Sequence, residues 1–96
     1  MGVQNFTPGP WGFESFALSE EIKSLNNPLI ATVQSRHCES PEEMRANAQL
    51  IAASPDMYAT LSMALDALQR ADNYGVPGLC ALIEEVYDVL AKARGD

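Results

Sequence analysis

Ninety-six residues and 10.4 kDa make one domain's worth of chain, and 47% hydrophobic against 20% charged side chains exclude wholesale disorder. Two cysteines exclude a disulfide-rich scaffold, and no apolar run approaches the roughly 18 residues of a membrane span. Thirteen acids against six bases leave a formal charge of −7, which phosphate backbones and anionic lipid repel, so neither direct nucleic-acid binding nor membrane binding is expected.

The chain reads as a single domain over residues 1–96, with a polar lead-in at 1–9, a β-meander at about 10–35 and a helical part at 40–94. Met1-Gly2-Val3-Gln4-Asn5 has no basic segment followed by an apolar stretch, so no secretory leader is expected and a cytoplasm with reduced thiols is the default compartment. Thr7-Pro8-Gly9-Pro10 forbids helix and sets a turn. Trp11, Phe13 and Ser15 then alternate with Gly12, Glu14 and Phe16, which predicts a strand. Leu18 to Leu25 stays open between a helical turn and a second strand. Asn26-Asn27-Pro28 predicts a turn, and Leu29-Ile30-Ala31-Thr32-Val33 is the strongest strand signal in the chain.

Ser40-Pro41-Glu42-Glu43 is a helix start, with a capping serine, proline at the first position and glutamates against the positive end of the helix dipole. Ser54-Pro55-Asp56 repeats that pattern and predicts a second start. Tyr58, Leu61, Leu65 and Leu68 form the main stripe of the second helix, and Asn73-Tyr74-Gly75 stops it. In the third helix an apolar arc of about 200° holds Val89, Leu82, Val86, Leu90, Ile83, Tyr87 and Cys80. So wide an arc needs cover on two sides. The sheet and the second helix are expected to provide it, and whatever they leave open would be a subunit interface. The expected fold is α+β: a small two- or three-stranded antiparallel sheet (about 10–35) packed on three α-helices (about 41–53, 55–73 and 77–94).

Catalytic and metal chemistry find little support. His37 and Cys38 are adjacent in a loop, where a base is poorly aimed at a thiol. A structural zinc wants four ligands, and only a distant Cys80 joins that pair. Cys80 falls on the apolar arc, where a buried, inert thiol is expected. Gly75-Val76-Pro77-Gly78 lacks the lysine of a phosphate loop. Glu84, Glu85 and Asp88 share one side of the third helix, which is the pattern of a solvated face and lacks a partner base. Trp11, Phe13 and Phe16 are expected to anchor the sheet on its helices. No catalytic residue, metal or cofactor is expected.

Thr7-Pro8-Gly9-Pro10-Trp11, the Ile30-Ala31-Thr32-Val33 strand and the block Ala46-Asn47-Ala48-Gln49-Leu50-Ile51-Ala52-Ala53-Ser54-Pro55-Asp56 occur in that order. Together they resemble a group of small bacteriophage and prophage proteins with a TPGPW start and an ANAxLIAAxPD helical block. The likeness covers about residues 7–68. It departs at Ser54, at Met57-Tyr58, and at Ser19 to Leu25, where the group has an aspartate–glycine hairpin. The resemblance implies a phage origin and a host-cytoplasm setting, and it implies no activity. The block itself reads as scaffold, with small alanines for close helix approach and Asn47 making a polar contact near the sheet.

The expected function is that of a non-enzymatic phage accessory protein. It would bind and inhibit a host defence component, anti-CRISPR-like in the broad sense, through an acidic surface. The partner would be a host protein or ribonucleoprotein with a basic groove. Glu84, Glu85 and Asp88 are the candidate contacts, with Glu14, Glu20 and Glu21 as a second patch. Two alternatives stand beside it: a homo-oligomer formed through the third helix, and a small-molecule-binding protein with a pocket or interface at Trp11, Tyr58 and Tyr87.

Overall fold

A computed structural model describes residues 6–26 and 28–95. Met1 to Asn5 of the expected lead-in and Asn27 of the expected turn lie outside the described residues. The order is β1 (Trp11–Ser15), β2 (Ser19–Ser24), β3 (Leu29–Gln34), a 3-10 turn at Ser35–His37, then α1 (Pro41–Ala52), α2 (Ser54–Asn73) and α3 (Cys80–Arg94). The α+β class is as expected, and the open segment is a strand. The chain forms two compact units, Thr7–Asp56 and Met57–Asp96 with Met1–Phe6.

In the first unit the three strands form an antiparallel meander in the order β1-β2-β3. Trp11 pairs with Ser24, Phe13 with Ile22 and Ser15 with Glu20, while Ile22 pairs with Ala31 and Glu20 with Val33. Strand residues alternate between faces, so these side chains share the inner face, against which α1 packs through buried Met44 and Ala48. The aromatic anchor is weaker than expected: Trp11 is half-buried, while Phe13 and Phe16 are exposed. Phe16 lies past the end of β1 at the hairpin turn, where its amide donates to the Ser19 carbonyl at 2.8 Å.

Helix α1 starts as expected: the Glu43 amide donates to Ser40 Oγ at 3.1 Å, with Pro41 in the first turn. The start of α2 corrects an expectation, because Ser54 is its first residue rather than a cap. Pro55 has no amide to give the Ile51 carbonyl four residues back. Ser54 Oγ donates to that carbonyl instead, at 2.7 Å. The two helices thus meet with only Ala53 between them.

The lead-in closes against this junction. Trp11 Nε1 donates to the Thr7 carbonyl at 3.0 Å. Gly9 lies so near the buried Pro55 that a β-carbon on it would stand 2.8 Å from Pro55 Cβ. The Thr7-Pro8-Gly9-Pro10 turn and the first turn of α2 are therefore in contact. Gly9→Ala is expected to cost about 1–3 kcal/mol by overpacking, because a proline ring cannot swing aside. Gly12→Ala, with open space around its new methyl, is expected to be neutral or stabilising. Urea denaturation of the two variants checks the contrast.

In the second unit, buried Leu65 of α2 packs with Val86 and Leu90 of α3, flanked by Tyr58, Leu61, Leu68 and Ile83. The stop after α2 is a Schellman motif: Gly75 takes φ +87°, the Val76 amide donates to the Ala71 carbonyl and the Gly75 amide to the Asp72 carbonyl. Helix α3 begins three residues later than expected, because Gly78 at φ +83° keeps Pro77-Gly78 in a turn. The Ile83 amide makes the first helical bond, to the Leu79 carbonyl at 2.9 Å.

Candidate functional site

Residues 84, 85 and 88 stand on the side of α3 opposite Val86 and Leu90, because four residues return a helix almost to the same face. Once Val86 and Leu90 turn to α2, these acids must turn to solvent, and all three are exposed. No ion pair among the described residues includes Glu84, Glu85 or Asp88. Glu84 and Asp88 are like charges one turn apart, an arrangement that costs an isolated helix about 0.2–0.5 kcal/mol. Among the described residues no salt bridge offsets that repulsion, and Lys92, one turn beyond Asp88, is the base on α3 that stands on the same side.

The expected second patch does not hold together. Glu20 lies on the inner face of β2 at 1% exposure, so it belongs to no acidic surface. The reason is strand alternation: with Ile22 turned inward, residue 20 must follow. Arg45 Nε is 3.8 Å from Glu20 Oε1. Glu14 and Glu21 face outward and directly oppose each other across β1 and β2. Lys23 sits between them, with Nζ 3.3 Å from Glu14 and 3.4 Å from Glu21. The hydrogen bond that Lys23 donates to Glu14, and then the two negative charges, hold its ammonium above its ordinary pKa. These outer acids are thus partly neutralised by their own sheet.

Trp11 and Tyr58 fall in different units. Trp11, with Pro10, Phe13 and Leu25, lines an open groove of about 410 Å³ at the end of the hairpin. Tyr58 is half-buried, edge-on to Phe6 with ring centroids 5.1 Å apart, and its hydroxyl accepts from Arg94 at 3.4 Å. Tyr87 stands on an outer flank of α3.

The wide apolar arc of α3 is covered only in part. Leu82, Tyr87 and Val89 are 44%, 43% and 49% exposed. Within the helical unit, α2 buries one stripe of α3 and leaves these flanking residues uncovered. The expectation for Cys80 is corrected: it opens α3 as an exposed thiol. His37 is exposed, and half-buried Cys38 accepts a contact from Asn47 Nδ2 at 3.7 Å, the polar contact expected of Asn47. Among the described residues no three His, Cys, Asp or Glu side chains gather as a metal ion would require. No helix among them is long and apolar enough to cross a membrane.

No curated protein and no solved structure matches the chain. A family model described as Salmonella phage P22 protein Y8K6 matches residues 1–96, which supports the expectation of a small phage protein. The chain therefore belongs to the family of Salmonella phage P22 protein Y8K6.

Proposed function

We propose that this member of a phage family is an accessory protein that works by binding and not by catalysis. It lays the acidic face of α3 into a basic groove of a host protein or ribonucleoprotein in the host cytoplasm. There it inhibits a host defence component by occupying the place of a nucleic acid. One observation supports this reading: Glu84, Glu85 and Asp88 are exposed side by side and none of them is in an ion pair among the described residues, in a chain of charge −7. Such a face steers association with a positive groove and weakens as salt rises.

Affinity capture from a host with intact defence systems tests it. The wild-type chain is expected to retain one host complex at low salt and release it at high salt. Changing Glu84, Glu85 and Asp88 together to lysine is expected to cut retention more than about tenfold, since each attraction becomes a repulsion. The variant's circular dichroism should be unchanged, because none of the three supports the core. Retention equal to wild type would remove the electrostatic mechanism.

A second reading is favoured by the exposed Leu82, Tyr87 and Val89, which form an apolar margin on the same helix. In it, α3 joins two copies of the chain, and Leu82→Lys with Val89→Lys would separate them.

A further inference from the structure

Strand β3 is an outer strand, and its far edge has no backbone partner among the described residues. The register tells which groups face that edge. The Phe16 amide bonded to the Ser19 carbonyl closes the β1–β2 hairpin. Peptide groups alternate along an antiparallel strand, so Ser19, Glu21 and Lys23 turn theirs to β1, and Glu20, Ile22 and Ser24 turn theirs to β3. The Ser24 amide on the Pro28 carbonyl (3.2 Å) and the Ser35 amide on the Leu18 carbonyl (2.9 Å) obey the same alternation. Ala31 and Val33, opposite Ile22 and Glu20, therefore bond to β2. The amides and carbonyls of Thr32 and Gln34 point away from the sheet.

Free edges are ordinarily blunted by charge, proline or a bulge facing outward. The opposite edge, β1, carries a charge at Glu14 and a glycine at Gly12. The sequence of β3, Leu-Ile-Ala-Thr-Val-Gln, has neither charge nor proline and is rich in strand formers; its one irregularity is a register shift at Ile30, near its start, and the stretch from Ala31 to Gln34 is regular. Beside it runs a groove of about 350 Å³, with Val33, Leu50 and Ile51 as its apolar wall and Thr32, Gln34 and Asn47 among its polar lining. No Asp, Glu, Lys or Arg lines it. Leu50 is exposed there, and Leu29 is exposed at the start of β3.

Charge selects the occupant. A net −7 repels other copies of the chain over most of its surface, and this strip is free of that repulsion. A basic partner finds no acid in the groove to pair with. An uncharged, β-branched strand suits both the edge and the groove, and β3 is such a strand. The edge is also self-complementary. Placing Thr32 opposite Thr32 of a second copy makes residues with outward peptide groups meet at the axis and sets Gln34 of each copy beside Ile30 of the other, where the register of β3 shifts. We infer that two copies of this chain pair antiparallel through their β3 edges about a twofold axis. One continuous sheet then runs through both, with both α1 helices on one face and Leu50 of each copy covered at the seam. The contact is isologous and closes on itself. It extends a three-stranded sheet, which is near the lower limit of independent stability. It uses none of the residues that carry the α3 reading, so either can fail alone.

Sedimentation equilibrium of the full chain, from low micromolar to several hundred micromolar, reads the inference. The wild-type mass is expected to rise with concentration from 10.4 kDa towards twice that value and stop there. Thr32→Pro removes an outward amide and no bond to β2, and Thr32→Lys sets like charges against each other at the seam. Both variants are expected to stay monomeric over the same range with wild-type circular dichroism. If Thr32→Pro does not fold, Thr32→Lys decides. A wild-type chain that stays at 10.4 kDa overturns the inference. So does a dimer that survives Thr32→Lys, one dissolved instead by Leu82→Lys with Val89→Lys, or growth beyond two copies.

Discussion

Replacing Leu90 with alanine is expected to lower the unfolding free energy by about 2–5 kcal/mol, read as a shift of the urea midpoint at constant slope. Leu90 is 1% exposed, and with Leu65 and Val86 it makes the buried cluster of the helical unit. Truncation removes its transfer energy and leaves a cavity that two helices joined by a short turn collapse into only partly. Against a typical total of about 5–15 kcal/mol, that is a large share. Val89→Ala, one residue earlier on the same helix, is expected to change stability by less than about 1 kcal/mol, because its side chain is already half in water. Equal losses at the two positions would mean that the outer flank of α3 is covered in solution, and would favour association through that helix over the acidic-face reading.

The elements that sequence reading located are those whose signals are local. Ser40-Pro41-Glu42-Glu43 started α1 because capping needs only a hydroxyl, a fixed φ and the helix dipole. Gly75 ended α2 because a left-handed φ suits it better than any neighbour. Leu29 to Val33, all but the last residue of β3, was legible as an apolar, β-branched run. The segment Ser19–Ser24 was not, because it carries a single apolar residue, Ile22, and no alternation can be seen around one point. Its conformation is decided by the strands on either side, which supply pairing partners for both edges. The late start of α3 was missed for a related reason. Proline at a first helical position and proline in a turn look alike until the following glycine takes φ +83°.

The candidate site divides along the same line. The exposure of Glu84, Glu85 and Asp88 followed from helical angles measured against Val86 and Leu90, a property of one helix. The fate of Glu20 could not be read that way. Glu20 and Glu21 are neighbours in sequence with the same chemistry, yet the pleat sends one beneath α1 and the other out to Lys23. Which goes inward is set by Ile22, whose burial forces residue 20 to its own side. A slip by one residue would bury both Glu21 and Lys23 in place of Glu20, so the observed register puts the fewest charges inside. The free edge of β3 is likewise a property of the sheet's order, visible only once β2 is known to lie in the middle.

Glu20→Met is expected to raise stability by about 1–4 kcal/mol, the usual result when a poorly compensated buried charge gives way to an apolar side chain of similar volume. The compensation at Glu20 is poor on two counts. Its Oε1 has Arg45 at 3.8 Å, but that guanidinium is largely in solvent, which screens the attraction. Its Oε2 is buried with no hydrogen-bond partner among the described residues. Arg45→Ala removes the cation and leaves the carboxylate buried, so it is expected to destabilise. In the Glu20→Met background the same change is expected to cost almost nothing, because no charge remains to be abandoned. Urea denaturation of the two single variants and the double variant closes the cycle and isolates the coupling. Beside Ser15, which pairs with it on β1, residue 20 has apolar neighbours in Ile22, Val33 and Met44 on the strands and helix of its own unit, so a thioether finds suitable neighbours there. A loss of stability in Glu20→Met would reverse the argument. It would mean that the carboxylate is held by hydrogen bonds strong enough to repay its burial, and that Glu20 stabilises the packing of α1 on the sheet.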